Sequence, residues 1–129
     1  MDPYIDFLGM IRDRALIVNH IRNSDICLEP APFNGANNQS TFIKVMEYMC
    51  EGKPIVAFDL VETRFSTGGN AVLVRPTDLT EFADAIDKLI REPHRREALG
   101  KQAQKRIHES LNWNNAANNL RNAYKSVFS

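Results

Sequence analysis

An excess of charge of either sign is missing from this sequence. Lys plus Arg number 16 and Asp plus Glu number 16 among 129 residues, for a formal net charge of zero. A nucleic-acid surface carries a basic run that neutralises phosphates, so no nucleic-acid partner is expected. Cysteine is scarce as well. Cys27 and Cys50 have no second pair and no spaced histidine beside them, so neither a disulfide framework nor a metal site is predicted. Both read as buried thiols in a reducing compartment. No apolar run approaches the roughly 18–20 residues of a membrane span, and no apolar signal segment follows Met1, so the expected location is the cytoplasm and no transmembrane segment is expected. Neither G-x-G-x-x-G nor a Walker-type loop occurs, and no organic cofactor is expected. His20, His94 and His108 have no carboxylate or serine at constant spacing and read as surface residues.

What is present is an α/β pattern of the length of one domain, too short for a complete two-domain enzyme. Residues 4–9 read as a first strand ending at Gly9, followed by a helix over residues 12–23 closed by Ser24 and Asp25. Residues 26–28 form a second short strand, left through Glu29, Pro30 and Pro32 onto a polar loop, Asn34 to Gln39. Ser40 is the expected N-cap of the next helix. Ser40, Lys44, Glu47 and Glu51 recur at helical spacing on one narrow face, with Phe42, Ile43, Val45, Met46, Met49 and Cys50 assigned to the core side. Gly52 stops that helix and residues 55–58 are a fully apolar strand, as in a parallel sheet covered on both faces.

Residues 60–70, with Glu62, Arg64, Gly68 and Gly69, read as a flexible loop above the sheet edge where ligands bind. Residues 71–74 are the last strand. Asp78 and Glu81 make a capping box for a helix to Arg91, with Leu79, Phe82, Ala83, Ile86, Leu89 and Ile90 facing inward. Pro93 opens a helix to about Ser110 whose mixed charges read as a solvated face. Trp113, Ala116, Ala117, Leu120, Tyr124, Val127 and Phe128 then form an apolar stripe that needs a partner.

Glu29-Pro30, the S-T-x-x-K-x-M-E-Y-M run from Ser40 to Met49, Gly52-Lys53-Pro54-Ile55-Val56-Ala57 and Glu62-Thr63-Arg64 together resemble the donor-binding half of retaining GT-B glycosyltransferases of family 4, the group 1 glycosyltransferases. The resemblance covers nearly the whole chain. It implies a Rossmann-like parallel sheet with helices on both faces, forming part of a GT-B C-terminal domain: one domain over residues 1–129, with residues 111–129 a terminal helix that packs on an absent N-terminal domain. It also implies that the first two strand-helix units of the donor domain, with the basic residues that hold the diphosphate, are absent.

In that family two glutamates eight positions apart flank the start of the helix. By resemblance the second is Glu47, bonding the ribose, and the first falls on Gln39, whose amide bonds a hydroxyl but carries no charge. The implied nucleotide-sugar site is Gln39, Ser40, Thr41, Lys44 and Glu47, with a UDP-, GDP- or dTDP-linked sugar as partner. The helix N-terminus suits an anion such as phosphate. No catalytic residue is assigned, and the isolated chain is expected to be inactive. A non-catalytic interaction module derived from such an enzyme is the alternative. In a sheet of order 3-2-1-4-5-6 the strands present would be 3, 4, 5 and 6, which predicts either residues 5–8 pairing beside residues 26–28 or a homo-oligomer, through an unpaired strand edge or the C-terminal helix.

Overall fold

The computed structural model describes residues 3–128. Its sheet has three parallel strands in the order β1 (Cys27–Glu29), β2 (Ile55–Phe58) and β3 (Val72–Val74), with Cys27 opposite Ile55 and Val56 opposite Val72. Parallel neighbours need crossovers, and helices supply them. The chain runs α1 (Arg14–Asn23), β1, α2 (Gly35–Asn38), α3 (Ile43–Cys50), β2, α4 (Val61–Thr67), β3, α5 (Leu79–Arg91), α6 (Pro93–Glu109) and α7 (Trp113–Phe128). This is the α/β class expected: a small Rossmann-like sheet covered on both faces.

Strand β2 builds both cores because successive side chains point to opposite faces. Ile55 and Ala57 pack with Val45 and Met49 of α3 and with Ala103 and Ile107 of α6. Val56 and Phe58 pack on the other face with Val74, Phe82 and Leu89, the last two from α5. Helix α3 has eight residues, short of the ~12–15 at which an isolated helix becomes even marginal. It therefore depends on burial of Val45 and Met49, worth roughly 1.5–3 kcal/mol each. Its end is closed by Gly52 at φ 65, with the Gly52 N–H donating to the Met49 carbonyl and Lys53 N–H to that of Tyr48. Helix α6 crosses so close over this turn that a Cβ on Gly100 would lie 2.0 Å from the Gly52 carbonyl oxygen.

Several expectations are corrected. Residues 5–13 form no regular structure, and the sheet holds no fourth strand among the described residues. A strand needs a ladder partner, and residues 5–8 have none; Tyr4 and Phe7 are 94% and 84% exposed. Residues 60–70 are no loop. They form α4, begun at Leu60 and ended by Gly68 in the left-handed region at φ 57, with Thr63, Ser66 and Thr67 buried. Ser40 does not cap α3: its hydroxyl donates to the Ala36 carbonyl at the end of α2, and Phe42 stands at the N-cap with no side-chain acceptor. Asn34, capping Asn37 N–H, had already turned the polar run into a short helix.

Cys50 and Ile43 are exposed, as are Leu79, Ala83 and Ile90, because each of these helices buries a narrower stripe than its apolar content suggested. Arg106, read as part of a solvated face, donates to the Ser66 and Phe65 carbonyls and closes α4; Arg96 does the same for the Leu89 and Ile90 carbonyls of α5. Asp78 caps α5 through Glu81 N–H as expected, while the Glu81 carboxylate accepts from Arg75. The three histidines are exposed.

Two outcomes follow. Gly100→Ala should destabilise by about 1–3 kcal/mol, as overpacking against backbone does, read as a lower urea midpoint; an unchanged midpoint would show that α6 can lift off the turn. Burial pushes the Cys27 thiol up to about 11, against a smaller lowering by Lys53. A raised native pKa gives stability that is complete below the unfolded value of 9.0 and is lost as pH rises through about 11. Cys27→Ala should therefore lose less stability than the parent between pH 8 and pH 11 in paired denaturant titrations.

Candidate functional site

The carboxyl ends of the three strands open toward the N-termini of α2, α3, α4 and α5, which is where open α/β sheets bind ligands. At the end of β1, Glu29 is 1% exposed. Its Oε1 accepts from Ala31 N–H at 3.0 Å, and its Oε2 lies 2.8 Å from Lys44 Nζ. That second contact is an ion pair without hydrogen-bond geometry, so Oε2 has a charge partner but no directed donor. The register explains the burial: Glu29 stands opposite Ala57, on the sheet face that α3 covers.

The polar face of α3 is engaged along its length. Beyond Lys44, Glu47 Oε1 meets Arg14 Nη1 at 2.5 Å, and Glu51 Oε2 meets Arg22 Nε at 2.6 Å, both arginines belonging to α1. Lys53 Nζ adds a bond to the Arg22 carbonyl. Of these side chains Arg14 is 72% exposed and Glu47 21%, so the Arg14–Glu47 pair sits at the surface with one partner able to swing away. Such pairs contribute about 0–1 kcal/mol each. They orient α1 rather than anchor it, and Ile21 is the one buried residue of that helix.

A second set of contacts ties the loop before α3 to α4. Asn38 Oδ1 accepts from Val61 N–H at 3.0 Å, and Thr41 Oγ1 donates to Glu62 Oε2 at 3.2 Å. Asp59, at the end of β2, takes both arms of Arg64 at 2.8 and 2.5 Å, and that hydrogen-bonded carboxylate raises the Arg64 pKa. A cleft of about 500 Å3 at the same edge is lined by residues 75–80.

Of the residues singled out in the sequence, Thr41 and Lys44 reach groups at this edge. Glu47 lies a turn further along α3, against α1; Ser40 is bonded back to α2, and Gln39, the C-cap of α2, is exposed. Sequence reasoning missed Arg14, Asn38 and the burial of Glu29. Only Glu29 left a signal, standing two residues after the buried Cys27 on the same side of a strand. Among the described residues no group of side chains is arranged to hold a metal ion, and no helix is long and apolar enough to cross a membrane.

The parallel sheet, its helical crossovers and the polar residues gathered at its carboxyl edge define a Rossmann-like unit. The family model for glycosyl transferases group 1 matches residues 1–92, and the chain belongs to that family. Sucrose-phosphate synthase from Thermosynechococcus elongatus has a similar fold, with a TM-score of 0.79 and 23% identity over 95% of this chain. The chain spans 30% of that synthase chain. No curated protein matches the chain.

The Glu29–Lys44 pair yields a direct test. Lys44→Met leaves a buried carboxylate without its counter-charge and should destabilise by about 1–3 kcal/mol, the cost of an unsatisfied buried group. Lys44→Met with Glu29→Gln should recover part of that loss. Additive losses in a denaturant double-mutant cycle would show that the two side chains do not interact.

Proposed function

We propose that this chain holds a nucleotide sugar for a retaining glycosyl transfer, in which a sugar passes from a nucleoside diphosphate to an acceptor with its anomeric configuration kept. Gln39, Ser40, Thr41, Lys44 and Glu47 form the proposed donor site. The carrying observation is the position of Glu47: on a helix that starts at the carboxyl end of a parallel sheet, partly open, and held by an exposed arginine that a ligand can displace. A ribose with two hydroxyl donors would take the Glu47 carboxylate in place of Arg14. The α3 N-terminus has no side-chain cap, so its first N–H groups remain available to a phosphate oxygen.

Lys44 has a narrower part in this reading. Its ammonium neutralises Glu29, and in doing so keeps a buried negative charge from repelling the diphosphate. The sugar itself falls nearest Gln39 and Thr41, both exposed, where an amide and a hydroxyl offer hydrogen bonds without charge. No nucleophile or general base is assigned to this chain. The acceptor side of the site, and the strand-helix units that hold the diphosphate, would come from outside it, so the isolated chain is proposed to bind without turnover. A cytoplasmic setting belongs to the same proposal.

A second reading, a non-catalytic interaction module, is favoured by one observation: α7 buries none of its residues and presents an apolar stripe. The two readings separate on ligand binding. With UDP-, GDP- and dTDP-sugars near ~1 mM, a ligand present at ten times its Kd adds about 1.4 kcal/mol of stability by mass action, raising Tm by several degrees. Glu47→Ala should abolish the shift while leaving the melting temperature without ligand nearly unchanged. No shift with any nucleotide sugar would leave the interaction module.

A further inference from the structure

Helix α2 starts on the one Asn-Gly pair of the sequence, Asn34-Gly35; every other asparagine precedes a residue with a side chain. Asn34 and Gly35 are both exposed, and a Cβ placed on Gly35 would meet nothing within 4 Å. The Asn34 carboxamide caps the helix, its Oδ1 accepting from Asn37 N–H at 2.8 Å. Its Nδ2 has no acceptor among the described residues. Neither has the Gly35 N–H, one of the free donors at a helix start. An electrophilic carbon, a leaving group and a backbone nitrogen with no side chain to shield it therefore stand on adjacent residues, open to water.

Little holds the reacting atoms apart. Asn34 stands at φ -156 and ψ 169, which turns the Gly35 nitrogen away from the Asn34 side chain, so ring closure waits for rotation about the Cα–C bond and loss of the cap. Helix α2 has four residues and buries none of them, far below the length at which a helix holds by itself. Besides the cap, it is tied by Asn37 Nδ2 to the Pro32 carbonyl, by Ser40 Oγ to the Ala36 carbonyl and by Asn38 Oδ1 to Val61 N–H, all of them exposed bonds. Such a segment opens locally at little cost, with the sheet and its two cores intact.

We propose that Asn34-Gly35 is a self-modification site, at which the open form of α2 converts the asparagine to aspartate and isoaspartate. Hydroxide takes the proton of the Gly35 amide, and the nitrogen attacks Asn34 Cγ. The new N–Cγ bond closes a five-membered succinimide, while the Cγ–Nδ2 bond breaks with release of ammonia. Water then opens either ring carbonyl. Attack at Cγ gives aspartate, which still caps a helix. Attack at the main-chain carbonyl gives isoaspartate, with the chain now running through Cγ and one methylene longer. The net change is a water gained and an ammonia lost. Either product adds a negative charge to a chain whose formal net charge is zero. Isoaspartate moves the carboxylate off the helix start, so α2 loses its cap and Asn38 its fixed place against Val61.

The test is incubation of the full chain in mildly alkaline buffer at physiological temperature, followed by peptide mapping in which aspartyl and isoaspartyl peptides elute apart. Both products should form at Asn34 ahead of every other asparagine, and faster as pH rises, because the nucleophile is the deprotonated amide. The folded chain should convert within about 10-fold of the rate in guanidinium chloride, the factor set by an opening that costs about 1.4 kcal/mol. Gly35→Ala should remove most of the conversion. The added Cβ enters open space and Gly35 is not among the positive-φ glycines, so the variant should melt with the parent by circular dichroism. Conversion more than about 10-fold slower in the folded chain than in the unfolded one overturns the proposal, because α2 would then not open on its own. So does aspartate formed without isoaspartate, which is direct hydrolysis, and so does another asparagine converting first. A Gly35→Ala chain that converts as fast as the parent has the same force.

Discussion

Everything in this molecule rests on the four residues of β2 being buried on both sides. Ile55, Val56, Ala57 and Phe58 are at most 3% exposed, and alternate members serve two separate cores. β2 alone has strand neighbours on both edges, and α3, α5 and α6 all pack through it. A polar side chain at any of the four positions would face an apolar core with no partner, whichever way it pointed. The close approach of Gly100 to the Gly52 turn belongs to the same constraint, since α6 reaches Ile55 and Ala57 only by crossing that turn.

Electrostatics settle what burial leaves loose. Helix α1 contributes one buried residue, and ion pairs from Arg14 and Arg22 to α3 set its direction. The Glu29–Lys44 pair is different in kind, because one partner is inside the protein and the other is half exposed. The family places this region in a glycosyl transferase, and the proposed donor site uses the same face of α3 that these pairs occupy. Binding there would exchange ion pairs for ligand contacts instead of filling an empty hole, and the modest strength of exposed pairs makes such an exchange affordable.

The elements that were misread share a cause. Residues 4–9 read as a short apolar strand ending at Gly9, but a strand exists only with a neighbour, and none of the described strands pairs with them. Residues 60–70 are rich in glycine and hydroxyl residues, which locally favour a loop; the packing that buries Thr63, Ser66 and Thr67 makes them a helix. Ser40 satisfied every local rule for an N-cap, and lost the role because the polar run before it folded into a helix whose end required that hydroxyl.

By itself the sequence determined the α/β class, the central strand to the residue, the helices α3, α5 and α6 that pack on its two faces, and the family, because a short apolar run, period-3.6 apolar patterns and the Ser40 to Met49 run are local properties of the chain. Tertiary structure alone decided that Glu29 is buried against Lys44, that Glu47 faces Arg14, and that Arg106 and Arg96 close helix ends instead of facing solvent. Arg96 reaches back only 7 residues, across the turn between two helices, but the other three depend on which distant segment arrives beside a side chain, and separations of 15, 33 and 40 residues along the chain leave no trace in local periodicity.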